Sequence, residues 1–178
     1  MGSPVDFTTL KLLVLDVDGV LTDGRIIYTA DGDEAKCFNV KDGAGMKYWQ
    51  RAGGQIAVIT GRKSPLVARR ADELGVTILR EKCLNKLPVL EEVLAELNVS
   101  PEETAVIGDD LPDWPMMRHV GFSACPADAV DEVRQAADYL CQAPGGGGCV
   151  RETVEYLLRA AGTWDTILQR YLPAKEGS

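Results

Sequence analysis

The chain has 178 residues, 46% hydrophobic and 26% charged, with a net charge of −8. That length suits one full-core domain, 1–178, and is too short for two ordinary ones. The acidic balance argues against a nucleic-acid partner, because a phosphate backbone is bound through a basic face that this sequence lacks.

The run Leu12-Leu13-Val14-Leu15 predicts a strand buried on both faces, as in a parallel sheet. It ends in Asp16 and Asp18, and Gly19 permits a sharp exit. Taken alone, Asp-x-Asp-Gly is also an ordinary turn. Residues 25–29 and 36–40 flank Ala30-Asp31-Gly32-Asp33-Glu34 and predict a protruding β-hairpin over about 25–40. The hairpin has apolar residues on both faces and open edges, so it is expected to pair with another subunit. Folding back on its own domain is the alternative.

Residues 40–46 lead into a helix through Tyr48, Trp49 and Ala52, with Asp42 as its expected N-cap. Exposed N–H groups beside Gly43 and Gly45 suit an anion near the first strand's tip. Residues 55–60 read as a second buried strand ending in the polar Thr60, followed by Gly61-Arg62. Ser64-Pro65 starts a helix that Gly75 stops. After a short strand at 76–79, a helix from about Asn85 to Leu97 carries Lys86 in its first turn, where a cation opposes the helix dipole and so hints at another use. Residues 104–107 form a fourth apolar strand ending in Gly108-Asp109-Asp110, with Asp113 close behind.

Short strands at 120–124 and 138–141 enclose a helix near 129–136. Gly145 to Gly148 read as a hinge before a helix reaching about Ala161, giving a flexible C-terminal segment from about 144 that could carry Arg151 to a site. Alternating strands and helices predict an α/β fold, a doubly wound, Rossmann-like parallel sheet with helices on both faces. No stretch reaches the roughly 20 apolar residues of a membrane span, and no targeting leader is read, so a soluble cytoplasmic protein without a membrane partner is expected. Five cysteines without C-x-x-C spacing argue for reduced thiols rather than zinc or disulfides.

In such a sheet Asp16, Asp18, Thr60, Asp109 and Asp110 converge on one edge, near Lys86. Clustered carboxylates repel unless protonated or bridged by a hard cation, and oxygen ligands with room for water select Mg²⁺. His119 is the only histidine, which excludes histidine-based nucleophiles. A carboxylate can itself attack phosphorus, which makes Asp16 the candidate nucleophile. Asp18 is then the general acid and base, while Thr60 and Lys86 bind phosphoryl oxygens.

Asp-Val-Asp-Gly-Val-Leu-Thr, Val-Ile-Thr-Gly-Arg, Asn85-Lys86 and Ile-Gly-Asp-Asp-Leu-Pro-Asp resemble, in order, the four motifs of the haloacid dehalogenase-like phosphatases. Residues 38–43, 108–117 and the glycine run before Val150-Arg151-Glu152 resemble its capless branch, which includes 3-deoxy-D-manno-octulosonate 8-phosphate phosphatase. Cys149 departs from the alanine usual in that branch, without evident consequence. The resemblance implies Mg²⁺ on Asp16, Asp109 and the backbone carbonyl of Asp18. It implies substrate contacts on Asn39, Val40, Lys41, Asp42, Gly43, Arg62, Arg70 and Lys86, and a homotetramer in which one chain's hairpin and tail complete a neighbour's site. The implied substrate is a phosphorylated 3-deoxy keto sugar acid, in the service of lipopolysaccharide biosynthesis.

The branch also holds phosphatases of nine-carbon sialic-type sugar 9-phosphates, but Arg62 is more like the octulosonate group. From other classes, a phospho-receiver pairs its leading acids adjacently rather than as Asp-x-Asp, and an idle oligomerisation module has no use for the full acidic set.

Overall fold

The computed structural model describes residues 5–172. Residues 1–4 and 173–178 of the expected domain lie outside them. The strands in chain order are β1 (Leu12–Leu15), β2 (Ile27–Tyr28), β3 (Glu34–Ala35), β4 (Gln55–Ile59), β5 (Ile78–Arg80), β6 (Thr104–Ile107), β7 (Phe122–Cys125) and β8 (Tyr139–Leu140). The α-helices are α1 (Val40–Arg51), α2 (Pro65–Glu73), α3 (Lys86–Leu97), α4 (Trp114–Met117), α5 (Asp131–Ala136), α6 (Cys149–Ala160) and α7 (Trp164–Gln169).

β1 is central, and all four of its side chains are buried. Leu13 and Leu15 enter one apolar layer with Trp49, Val67 and Leu157, while Leu12 and Val14 enter the other with Leu90, Val93 and Met116. An unbroken apolar run is thus read two residues at a time, each face covered by helices. The sheet runs β5-β4-β1-β6-β7-β8 with every pairing parallel. Between β1 and β4 the chain holds only the β2–β3 hairpin and α1, which leaves no room for a cap domain. No helix among the described residues is long and apolar enough to cross a membrane.

Leu15 pairs with Val58 on one side and Ile107 on the other. Asp16 is therefore level with Ile59 and Gly108, and Thr60 and Asp109 stand one residue further along. The chain leaves β1 for β4 and β5 on one side and returns through β6 on the other. That reversal of direction opens a crevice at the strands' carboxyl ends, where such sheets bind ligands.

Three local features differ from the sequence reading. α1 begins at Val40, because the Asn39 side chain, not that of Asp42, accepts the Lys41 N–H at 2.8 Å. The hairpin ladder is only Ile27 opposite Ala35 and Tyr28 opposite Glu34, so Glu34 lies in a strand, and 36–39 run irregularly into α1. The glycine run is not a hinge: Gly145 N–H donates to Asp128 at 2.8 Å, Gly146 N–H to the Val20 carbonyl at 2.9 Å and Gly148 N–H to Asp42 at 3.1 Å. A β-carbon on Gly145 would collide with the Gly19 carbonyl, so glycine serves close approach here. α6 and α7 are accordingly packed into the core, with Val150, Val154, Leu157 and Leu158 of α6 and Trp164 and Ile167 of α7 buried in the layer that covers Leu13 and Leu15.

Candidate active site

Asp16 follows β1, and its N–H donates to the Ile107 carbonyl at 3.1 Å, which fixes its backbone against β6. Its Oδ1 accepts from Lys86 Nζ at 2.7 Å, and Lys86 Nζ also donates to Asp113 Oδ1 at 2.6 Å. Lys86 is the first residue of α3, and Asn85 before it makes no side-chain cap bond. The helix start is thus used to aim a buried ammonium between two carboxylates. Asp113, 1% exposed, anchors the loop after β6 as well, since its Oδ2 accepts the N–H groups of Asp109 at 3.1 Å and Asp110 at 3.3 Å.

One carboxylate oxygen from each of Asp16, Asp109 and Asp113 lies within 4.8 Å of the others. Burial, reinforced by Asp113, outweighs Lys86 and pushes Asp16 up to about 6. Burial together with Asp16 and Asp113 pushes Asp109 up to about 8. Burial works against the Lys86 ammonium, but its two carboxylate partners outweigh that and raise it. Asp109 Oδ1 is buried with no hydrogen-bond partner among the described residues. An orphaned carboxylate oxygen beside repelling carboxylates has the charge and donor type that a hard divalent cation requires. Gly19, at φ +102°, completes the geometry: any β-carbon there would strike the Asp109 carboxylate.

These groups line a cavity of about 210 Å³ that also includes Asp18, Thr60, Arg62 and Leu84. Thr60 is buried, and its Oγ1 accepts the Arg62 N–H at 3.3 Å. At the mouth the Arg62 guanidinium bonds Glu34 at 2.8 Å and approaches Asp18 at 3.9 Å, while Lys36 pairs with Asp18 and Glu34. The base of the hairpin therefore folds over its own chain's carboxylates, although Ile27 and Tyr28 remain exposed.

Among the residues expected to meet substrate, Arg62 and Lys86 line this cavity and the others do not. Val40, Gly43 and Arg70 line a separate cavity with Lys47, Arg51 and Tyr171. Lys41 is exposed at the start of α1, where its N–H is held by the Asn39 cap. Asn39 Nδ2 donates to the Gly146 carbonyl at 3.2 Å. Asp42 is buried and accepts the N–H groups of Gly148 and Arg151, one on each oxygen, so within this chain it caps the start of α6. Arg151 bonds Glu155 at 2.5 Å and lies over the Tyr48 ring at 4.6 Å, so it fastens α6 to α1 rather than reaching the carboxylates.

The sequence reading left Asp113 without a role and passed over Lys36 and Glu34. Asp113 was legible as an acid four residues after Asp109. Nothing in the spacing links the hairpin pair to Asp18.

The profile of haloacid dehalogenase-like hydrolases matches residues 76–148. A protein of Escherichia coli K12 named 3-deoxy-D-manno-octulosonate 8-phosphate phosphatase KdsC is 45% identical over 156 residues, which cover 88% of this chain and 83% of that protein. A crystal structure of 3-deoxy-D-manno-octulosonate 8-phosphate phosphatase from Moraxella catarrhalis, in complex with magnesium ion, phosphate ion and KDO, superposes with a TM-score of 0.91 at 37% identity, covering 93% of this chain and 95% of that one. The cobalt-bound deoxy-D-mannose-octulosonate 8-phosphate phosphatase of Haemophilus influenzae gives 0.84 at 38% identity, covering 88% and 91%. The chain therefore belongs to the haloacid dehalogenase-like hydrolases, as a phosphoric monoester hydrolase of the capless branch that holds the 3-deoxy-D-manno-octulosonate 8-phosphate phosphatases.

Proposed function

We propose that this chain hydrolyses 3-deoxy-D-manno-octulosonate 8-phosphate to the free sugar acid and phosphate, through a phosphoryl group carried transiently on Asp16. The observation that carries the reading is the set of buried Asp16, Lys86 and Asp113 with the half-buried Asp109 at the crevice of the sheet, and Asp18 at its mouth. An Asp16 oxygen attacks phosphorus while the sugar oxygen leaves, taking a proton from Asp18. Water then attacks the phosphorus of the aspartyl phosphate, giving its proton to Asp18, and the P–O bond to Asp16 breaks.

The Lys86 ammonium and Thr60 hydroxyl bind the non-bridging oxygens, so positioning and electrostatics do most of the catalysis. Asp16, Asp109 and the Asp18 carbonyl would hold Mg²⁺, which supplies neutralisation of the charge that develops in transfer. Closing the cavity against water falls to the residues at its mouth.

A cavity of about 210 Å³ is below the roughly 300–1,000 Å³ usual for ligand pockets, so it takes the phosphoryl end and leaves the sugar acid at the mouth. A neighbouring chain covers that end in this reading, in a cytoplasmic homotetramer. The exposed Ile27, Tyr28 and Leu84 supply apolar surface for such an interface, and assembly would bring residues 39–43 and Arg70 to a site that they do not reach in their own chain.

The test is a panel of phosphorylated eight- and nine-carbon keto acids and hexose phosphates, assayed with Mg²⁺ beside Asp16→Asn. Preference for the octulosonate and loss of turnover in the variant are expected. Equal rates on hexose phosphates would remove the substrate assignment. Activity of Asp16→Asn within tenfold of the parent would remove the nucleophile.

A further inference from the structure

Lys36 occupies a site that chemistry does not grant a lysine without a reason. Its side chain is 1% exposed, and its ammonium contacts Asp18 Oδ1 and stands 3.6 Å from Glu34. A buried ammonium needs compensating charge, so these contacts are a condition of its burial. Arg62 closes the ring, at 2.8 Å from Glu34 and 3.9 Å from Asp18 Oδ2, but its side chain is 42% exposed and has room to turn toward a ligand. Lys36 has none, and it does not line the cavity.

We propose that Lys36 is a positioning residue for Asp18: by holding Oδ1 it fixes the carboxyl group so that Oδ2 faces the leaving oxygen. Oδ2 is the oxygen left for proton exchange, since Arg62 stands beyond hydrogen-bond distance of it. The proposal rests on the phosphatase reading above, with Asp18 as acid. It also gives the hairpin a task inside its own chain, because Lys36 follows directly on β3.

An acid matters in proportion to how poor the leaving group is. A sugar alkoxide needs its proton, whereas an activated aryl oxide departs without one. The value of kcat/KM reports the steps through departure of the leaving group, so the later attack of water does not enter. Lys36→Met, Lys36→Arg and Asp18→Asn are compared with the parent on the octulosonate phosphate and on p-nitrophenyl phosphate.

Lys36→Met is expected to lose at least about 20-fold on the sugar phosphate and less than about threefold on the aryl ester, in the pattern of Asp18→Asn, because a misaimed proton donor costs on this scale. Lys36→Arg, which keeps a cation at Asp18, is expected to recover part of the sugar-phosphate loss. Equal losses on both substrates, as a general disturbance of the fold would give, overturn the proposal, and so does an undiminished Lys36→Met. A parent inactive on both substrates refutes the phosphatase reading instead, and an Asp18→Asn with no leaving-group dependence refutes Asp18 as the acid.

Discussion

Asp16 and Asp109 make the metal-free protein pH-sensitive in a direction opposite to ordinary acid denaturation. Both carboxyls are raised in the folded chain, to about 6 and about 8, chiefly by burial, with Asp113 adding to the rise of Asp16 and Asp16 and Asp113 adding to that of Asp109. A carboxyl raised on folding binds a proton that the unfolded chain has already released, so stability falls as pH rises through the interval. For Asp16 that interval runs from about 4 to about 6, and Asp109 extends it to about 8. One pK unit is worth about 1.4 kcal/mol, so the shift of Asp16 from 3.8 to about 6 amounts to roughly 3 kcal/mol. The lowered carboxyls of Glu34, Glu73, Glu102 and Glu103 act below this window, because their contributions are lost only as the pH falls under the ordinary glutamate range.

A divalent cation reverses the slope by binding the ionised pair in competition with protons. Denaturant unfolding of chelator-treated protein at pH 5.5 and pH 8, each with and without saturating Mg²⁺, reads both effects. The metal-free chain is expected to be less stable at pH 8, and Mg²⁺ to stabilise it more at pH 8 than at pH 5.5. Asp16→Asn removes one member of the pair and should flatten the metal-free profile. Metal-free stability that rises from pH 5.5 to 8, or a Mg²⁺ effect equal at the two values, would refute the argument.

Two substitutions probe the support of the site. Asp42→Ala leaves the Gly148 and Arg151 N–H groups without an acceptor and is expected to cost about 2 kcal/mol, a fall of roughly 4–8 °C in Tm by calorimetry; an unchanged Tm would refute its role as the cap of α6. Gly145→Ala drives a β-carbon into the Gly19 carbonyl and is expected to lower kcat/KM at least about tenfold by shifting the loop that carries Asp18. Full activity would mean that the two loops move independently.

The sheet and its acidic edge were legible because they rest on short-range regularities. Three buried strands, β1, β4 and β6, are largely apolar runs, and each delivers its polar residue one or two positions later, so sequence order and spatial order agree at Asp16, Thr60 and Asp109. Lys86 stood out because a helix dipole disfavours it there. What was not legible depends on contacts between segments far apart in the chain. Asp42 and Gly148 are 106 residues apart, and nothing near Asp42 in sequence says that the helix it caps is α6 rather than its own. A glycine run has the same composition whether it swings freely or is pressed against another backbone. Gly145 and Gly146 are of the second kind because the turn after β1 needs a neighbour without side chains.

That turn explains why so much of the chain is committed to a few atoms. The N–H groups of Val20, Leu21 and Thr22 all point to the Val17 carbonyl, at 3.3, 2.9 and 3.0 Å, which coils the backbone tightly after Asp16. Asp16 and Asp18 are thereby carried to different depths: Asp16 stays in the low-dielectric interior with Lys86, and Asp18 reaches the mouth, where Lys36 and Arg62 meet it. A nucleophile and an acid two residues apart must meet the phosphoryl group at different points, one at the phosphorus and the other at the leaving oxygen. The coil supplies that difference only while Gly19 clears Asp109 and Gly145 clears Gly19. Truncation after Pro144 would therefore do more than open the site to water. It would remove α6 from the core and the glycine contact from behind the turn, so the separation between the two carboxylates would be lost together with the fold that maintains it.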